Sequence, residues 1–169
     1  MPLSMYAASV PVLQQMLGSL TNLLTKAEAH ATARKIEPTV LLQARLFPDM
    51  LPLNRQVEIA CDFAKGIASR LAGQEVPVYE GTDQTFAECQ ARIAKVLALL
   101  ASFTPEQIDG SEARQVVIQP GTARERTFAG QTYLLGYGLP QFFFHITTAY
   151  AILRHNGLEV GKKDYMGSY

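Results

Sequence analysis

The side chains that most often hold metals or form disulfides are scarce in this chain. Its 169 residues include two cysteines, three histidines and no tryptophan. Cys61 and Cys89 stand far apart and form no C-x-x-C pair, which excludes a zinc knuckle or a redox motif built from them. A domain of this length buries roughly two thirds of its unfolded surface, so it needs no disulfides to fold. Free thiols, together with first residues that carry no basic leader, predict a cytoplasmic protein.

Excess charge and long apolar runs are missing as well. Fifteen basic residues balance fifteen acidic ones, and the densest basic groups are only 124–126 and 162–163. Because nucleic-acid binding relies on a basic patch, we expect no nucleic-acid partner. No apolar run approaches the roughly twenty residues that a bilayer span requires, so we expect no membrane segment. The G-x-S-x-G and H-E-x-x-H motifs and Gly-rich phosphate loops are also absent, which removes the common enzyme classes that carry them.

Apolar residues do recur at alternating steps of three and four, which is the pattern of helices that share a core. Four segments show it: 6–34, 53–71, 86–103 and 140–157. Between 104 and 139 this period is lost, and VVIQ and RTFAG, separated by a Pro-Gly turn, predict a β-hairpin. The tail after Gly157 is predicted to be irregular. We therefore predict one all-α domain over 1–169, a four-helix up-down bundle with a small β-hairpin in the crossover before the last helix.

His145 is the most informative polar residue, because it lies in the middle of the apolar surface of the last predicted helix. Burying an imidazole without a partner costs on the order of a few kcal/mol, so the residue needs a specific role. One interpretation is a core histidine that is hydrogen-bonded to a neighbour. The other is a metal ligand, which requires two or three further ligands on facing helices. Gln56 on the second helix also points near the core.

A second polar group surrounds the start of the last helix. Arg124 and Arg126 lie on the predicted hairpin, and Tyr133 and Tyr137 come shortly before the helix begins. Exposed backbone amides at a helix start favour negative charge, so these side chains are candidates to receive an anion. An ordinary polar surface is the alternative interpretation.

The chain resembles the bacterial domain-of-unknown-function family numbered 1993. The resemblance covers nearly the whole chain and is carried by three stretches: SMYAASVPVLQQML, LLQARLFPDMLPLNRQVEIACDFAKG and QFFFHITTAYAILRHNGLEVGKKDYMG. That family is similar to the larger DinB-like superfamily of four-helix bundles. The better-known members of the superfamily bind a divalent metal through three histidines and include thiol-dependent transferases.

The resemblance also implies a set of site residues. The last helix of the superfamily carries H-x-x-x-H, with a glycine twelve residues after the second histidine. Counting back from Gly157 places His145 at that second histidine and Gln141 at the first, and Gln56 is the best match for the third. One imidazole and two amides bind a transition metal weakly, so we expect no metal cofactor. The resemblance thus implies a binding or interaction module, a homodimer with a possible small-molecule ligand, in which Gln56, Gln141 and His145 form a central pocket.

The alternative is an enzyme, and the sequence leaves open whether any reaction is catalysed. In that reading the chain is a metal-dependent, thiol-using transferase in which His145 ligates a divalent metal. Its further ligands would come from Asp49, Asp62 or His155.

Overall fold

The computed structural model describes residues 3–168, and helices dominate it. In chain order the elements are α1 (Val10–Arg34), α2 (Pro38–Leu42), α3 (Leu53–Leu71), α4 (Phe86–Ala101), α5 (Pro105–Ile108), β1 (Gln115–Ile118), β2 (Arg126–Ala129), α6 (Gly130–Tyr133), a π-helical turn (Leu134–Gly138), α7 (Leu139–His155) and α8 (Lys162–Met166). The four long helices bury one continuous apolar core. Among the described residues, none of the helices combines the length and the apolar character needed to cross a membrane.

Local sequence signals set the helix ends. The hydroxyl of Thr85 accepts a hydrogen bond from the backbone of Glu88, whose carboxylate accepts one in return, so α4 begins with a capping box. Pro11 lies in the first turn of α1, where its missing N–H has no intrahelical partner to lose. This explains why α1 begins at Val10 rather than at residue 6.

The long helices are arranged as a ring. Both α4 and α7 pack against α1 and against α3, so the order around the bundle is α1, α4, α3, α7. The helices α3 and α7 are antiparallel, because Gln56 near the start of α3 meets His145 on α7, and Arg70 near the end of α3 meets Tyr133, which precedes α7. The start of α3 contacts Asp83, just before α4, through Glu58.

The helices α3 and α4 run in the same direction. Further along both of them, the ammonium groups of Lys65 and Lys95 lie over the same ring, that of Tyr79. The linker 72–85 must therefore return along α3, whose 19 residues span about 28 Å. An extended linker of this length reaches about 46 Å, so the return is feasible. The predicted up-down order did not specify that these two neighbouring helices, α3 and α4, are parallel.

The hairpin lies in the crossover before α7, as predicted. Its strands pair antiparallel, from Gln115 opposite Ala129 to Ile118 opposite Arg126. Gly130 follows the second strand and packs so closely on the carbonyl oxygen of Ser111 that no Cβ could be accommodated there. The predicted helical bundle with a small hairpin is confirmed.

The prediction of an irregular tail is wrong, because the tail forms α8 and packs on α1. The backbone N–H of Gly161 donates to the Asp164 carboxylate and starts the helix. The hydroxyl of Ser19 on α1 lies 2.6 Å from the carbonyl oxygens of Asp164 and Tyr165, and Lys26 forms an ion pair with Asp164. Residue 169, the last of the predicted tail, lies outside the described residues.

Candidate functional site

His145 and Gln56 form a buried polar pair between α7 and α3. His145 is 8% exposed and Gln56 is 2% exposed. The Nδ1 atom of His145 lies 2.7 Å from Oε1 of Gln56, and Nε2 of Gln56 donates to the carbonyl oxygen of Leu51 at 3.0 Å. Because the amide nitrogen is directed to a carbonyl, the amide oxygen faces the ring. The proton of the imidazole is therefore assigned to Nδ1.

The second ring nitrogen of His145 has a different environment. Within residues 3–168, Nε2 makes no hydrogen bond, and Ser111 Oγ is the one fully buried side-chain nitrogen or oxygen atom without a partner. Nε2 is therefore not sealed in the core. Burial lowers the pKa of His145, because an apolar environment disfavours the charged imidazolium. A neutral ring with its proton on Nδ1 leaves Nε2 as a hydrogen-bond acceptor without a partner among residues 3–168.

Aromatic rings hold the imidazole in place. The ring of Phe63 stacks on His145, with centroids 5.9 Å apart and planes inclined by 18°. The ring of Phe144 approaches edge-on at 5.2 Å. Phe63 also contacts Tyr137 edge-on at 6.0 Å. The rings of Phe63 and Phe144 thus pack directly on the imidazole and fix its orientation.

Gln141 is less closely involved than its sequence position predicts. It is half-buried and lies one turn before His145 on α7. In the part of the chain that the structure describes, its side chain forms no hydrogen bond, whether to Gln56 or to His145. The structure therefore brings two of the three predicted residues together.

The residues proposed for the metal alternative lie apart from one another. Asp49 is exposed in the connection between α2 and α3, and His155 is exposed at the end of α7. The carboxylate of Asp62 is 53% exposed and pairs with Lys65 at 2.9 Å. Over residues 3–168, no group of three or more His, Cys, Asp or Glu side chains is arranged to hold a metal ion.

A second buried polar cluster joins α3, α4 and the linker, and sequence reasoning missed it. We call it the linker clamp: Asn54, Glu58, Asp83 and Arg92. The guanidinium of Arg92 binds both carboxylate oxygens of Asp83, at 2.7 and 3.1 Å. Glu58 Oε1 accepts from the backbone N–H of Asp83 at 2.7 Å, and the amide of Asn54 donates to the Asp83 carbonyl at 2.8 Å. A sequence signal existed, because Arg92 lies three residues after Cys89 and four before Val96, on the buried stripe of α4.

A cavity of about 560 Å³ adjoins the linker clamp. Asp83, Glu88 and Arg92, which line it, are engaged with the protein, whereas the side chains of Glu80 and Lys95 are exposed. Arg92 also donates to the carbonyl oxygens of residues 79, 80 and 81, and the carboxylate of Glu88 accepts from two backbone N–H groups at the start of α4. The hydrogen bonds of Arg92 and Asp83 therefore fix the linker against the bundle.

The predicted anion site is not assembled from the expected arginines. Arg124 and Arg126 are exposed, and Tyr133 is fully buried. The hydroxyl of Tyr133 accepts a hydrogen bond from Arg70 on α3 at 3.1 Å. Tyr133 and Tyr137 line a cavity of about 190 Å³ together with Arg70, and neither of the hairpin arginines lines it.

Four long helices with a hairpin before the last define a DinB-like bundle, and comparison with solved structures supports this class. The chain is similar to the crystal structure of a DinB family member protein from Shewanella denitrificans, with 41% sequence identity and a TM-score of 0.90. The match covers 97% of this chain and 92% of that chain. The chain belongs to the DUF1993 family, a domain of unknown function whose model matches residues 5–166. No curated protein is significantly similar to it. The resemblance inferred from the sequence is thus confirmed.

Proposed function

We propose that this chain is a small-molecule binding module that has lost the three-histidine metal site of its superfamily. The observation that carries the proposal is the hydrogen bonding of Gln56. Its oxygen faces Nδ1 of His145 and its nitrogen donates to Leu51, so both polar atoms are used within the protein. A side chain committed in this way holds the imidazole in one tautomer and one orientation.

The residues present do not fit a metal ion. His145 contributes one imidazole, and the amide oxygens of Gln56 and Gln141 are poor ligands for zinc or nickel. The oxygen of Gln56 is in addition occupied by a hydrogen bond. Neither a carboxylate nor a thiolate completes the set among residues 3–168. The enzyme alternative with a metal at His145 therefore lacks a donor set.

The chemistry of the pair indicates the kind of ligand. Nε2 of the neutral His145 is an acceptor, and the rings of Phe63 and Phe144 supply apolar walls. A fitting ligand has an aromatic or apolar body and one O–H or N–H donor. Such a donor would satisfy Nε2, and the gain is largest where water is excluded.

A ligand test uses phenol, which has a ring and one donor, and anisole, in which a methyl group replaces that donor. We expect phenol to shift the Nε2 resonance of His145 in a long-range ¹⁵N–¹H spectrum, and anisole to have a much smaller effect. The variant His145→Leu should abolish the phenol-specific amide shifts near Phe63. Equal shifts in wild type and His145→Leu would contradict the proposal.

The proposed loss of the metal site is tested on tag-free protein. Plasma mass spectrometry measures the metal content, and thermal melts with zinc, nickel and manganese measure stabilisation by added metal. We expect substoichiometric metal and no stabilisation of the wild type. The double variant Gln56→His/Gln141→His restores three imidazoles, so zinc should stabilise it by about 2.7 kcal/mol at a hundred times its Kd. Adding His145→Ala to that variant is the control and should remove the zinc effect. Stoichiometric metal in the wild type, lost in His145→Ala, would instead support the transferase alternative.

We also propose that the chain forms a homodimer through an apolar patch near the pair. Leu46 is 39% exposed and Phe144 is 54% exposed, and the two side chains line one cavity together with Met50 and Phe143. Exposed apolar side chains that cluster in this way are typical of interaction surfaces. Sedimentation velocity should show a dimer that dissociates in Leu46→Ser/Phe144→Ser. A monomeric wild type at high concentration would overturn this proposal.

A further inference from the structure

The interface between α3 and the helical segment 130–155 has a second polar end beyond the His145 pair. Gln56, Phe63 and Arg70 follow one another at steps of seven residues, so they lie on one face of α3. Opposite them are His145 on α7, which contacts both Gln56 and Phe63, and Tyr133 at the end of α6, which contacts Arg70. Phe63 separates the two polar ends.

The second end contains a small cavity with aromatic walls. Its volume is about 190 Å³, below the roughly 300 Å³ at which pockets begin to hold drug-sized ligands. The rings of Tyr133 and Tyr137 stack with centroids 6.0 Å apart, and Phe63 contacts Tyr137 edge-on. Gln119, at the hairpin turn, lines the cavity as well. The walls suit a single planar ring.

Arg70 supplies positive charge to this cavity. It is half-buried, and within residues 3–168 it forms no ion pair with a carboxylate. One of its terminal nitrogens donates to the hydroxyl of Tyr133, and the guanidinium lies 5.9 Å from the centre of that ring. A guanidinium has five donors, so the remaining ones are available to a planar anion.

One negative group also lines the cavity, the carboxylate of Asp62. It is 53% exposed and is paired with Lys65, so its charge is partly neutralised and lies at the solvent edge. Eight residues, or about 12 Å along the helix, separate it from Arg70. The field near the guanidinium therefore favours an anion.

We propose that this cavity binds a small aromatic carboxylate, with its carboxylate on Arg70 and its ring against Phe63 and Tyr137. A carboxylate matches the planar fork of arginine, and a ring gains contact area against the aromatic walls. The site differs from the one in the proposed function, because neither His145 nor Gln56 lines the cavity. The two sites share only the wall formed by Phe63.

The test is a titration with sodium benzoate, followed in ¹⁵N–¹H spectra at constant ionic strength. Benzamide serves as the neutral analogue of the same shape. We expect saturable shifts at Tyr133, Tyr137 and the hairpin turn. Binding should weaken at least about tenfold for benzamide and for Arg70→Gln, because charge-assisted hydrogen bonds to the carboxylate are lost.

The matched controls are Arg126→Gln, which removes an exposed arginine of the hairpin, and His155→Leu, which removes an exposed imidazole at the end of α7. Both should bind benzoate within about twofold of the wild type, a difference too small for a lost contact. Tyr133→Phe keeps the charge of Arg70 and removes only its hydroxyl partner, so it should weaken benzoate binding less than Arg70→Gln does. It also provides a test if Arg70→Gln fails to fold.

Three results would overturn the proposal. They are equal affinities for benzoate and benzamide, unchanged binding in folded Arg70→Gln, and no saturable shift at about 10 mM benzoate, where a millimolar site would be mostly filled. Loss of binding in Arg126→Gln would place the anion on the hairpin instead. Because phenol reports on His145 and benzoate on Arg70, failure of one proposal is distinguishable from failure of the other.

Discussion

The linker clamp and the His145 pair are two buried polar clusters that share one helix but differ in how completely their polar groups are satisfied. Gln56 and Glu58 are two residues apart on α3, and they contact α7 and the linker before α4, respectively. In the clamp, all three nitrogens of the Arg92 guanidinium donate, and both oxygens of Asp83 accept from them. In the pair, one ring nitrogen of His145 has no partner among residues 3–168. A completed network specifies structure, whereas an incomplete one at the edge of the core provides a contact for a ligand.

The two clusters also differ in charge. The hydrogen bonds that Arg92 donates to the Asp83 carboxylate raise the pKa of Arg92 further, so the guanidinium stays charged at any physiological pH. Burial lowers the pKa of His145, so the pair is neutral. Removing one partner of a buried ion network lowers the free energy of unfolding more than removing one partner of a neutral hydrogen-bonded pair. We therefore expect mutations in the clamp to be more destabilising than mutations in the pair.

The largest effect is expected for Arg92→Met. The substitution keeps most of the side-chain volume but leaves the carboxylate of Asp83 buried without its partner. Breaking one side of a buried ion pair costs about 3–5 kcal/mol, and we expect a loss of that size in the free energy of unfolding. Urea denaturation followed by circular dichroism measures it.

The control for Arg92→Met is Lys95→Met, in the same region of α4. Lys95 is exposed and contacts only the face of the Tyr79 ring, so its loss should cost about 1 kcal/mol or less. Hydrogen exchange should show faster opening of the linker 72–85 in Arg92→Met and not in Lys95→Met. Similar stabilities of the two variants would mean that the clamp does not hold the linker.

An intermediate effect is expected when one member of the pair is removed. His145→Leu leaves the oxygen of Gln56 without its partner, and we expect a loss of about 1–3 kcal/mol. Gln56→Leu should cost a similar amount. The double variant should cost less than the sum of the two, because it leaves no unpaired polar atom. Thermal and urea denaturation of the four proteins complete the cycle.

His155→Leu is the matched control for this cycle, since His155 is exposed at the end of α7. Its effect should stay within about 0.5 kcal/mol. Strict additivity of His145→Leu and Gln56→Leu would show that the hydrogen bond contributes nothing to stability, and would remove the basis for assigning one tautomer to His145.

The sequence predicted the pair because both residues stand on apolar stripes. The period of three and four residues places Gln56 and His145 on buried faces, and the superfamily motif aligns both with metal-binding positions. The structure then joins them by a hydrogen bond. Their partners were not predictable in this way, since the carbonyl of Leu51 lies in an irregular connection whose path no periodicity describes.

Arg92 and Arg70 show that sequence patterns do not predict contacts between residues that are distant in the sequence. Arg92 occupies a buried position of α4, but its burial makes sense only once the linker returns along α3 and presents Asp83. Arg70 meets Tyr133, 63 positions away in the sequence, because α3 and α7 are antiparallel with a particular register. Periodicity identifies the buried face of each helix but carries no information about which residues of two helices stand opposite one another.

The smallest effect expected is a pH dependence of the free energy of unfolding, which His145 in the neutral pair contributes. The folded state lowers the pKa of His145 below the unfolded value of 6.5, so the unfolded chain binds the proton more readily. The neutral form of His145 therefore contributes its full stability above about pH 6.5, and that contribution is lost as the pH falls through the lower folded pKa. Because a single proton is involved, the free energy of unfolding can change by at most about 1.4 kcal/mol per pH unit from this group.

Urea denaturation between pH 7.5 and pH 5 should consequently show a steeper loss of stability for the wild type than for His145→Leu. The clamp is identical in the wild type and His145→Leu, so its contribution cancels in the difference. Parallel curves for the wild type and His145→Leu would show that the imidazole titrates alike in the folded and unfolded chain. Nε2 would then be protonated at the same pH in the folded and the unfolded chain. That result would contradict the proposal that His145 is a neutral hydrogen-bond acceptor for a ligand.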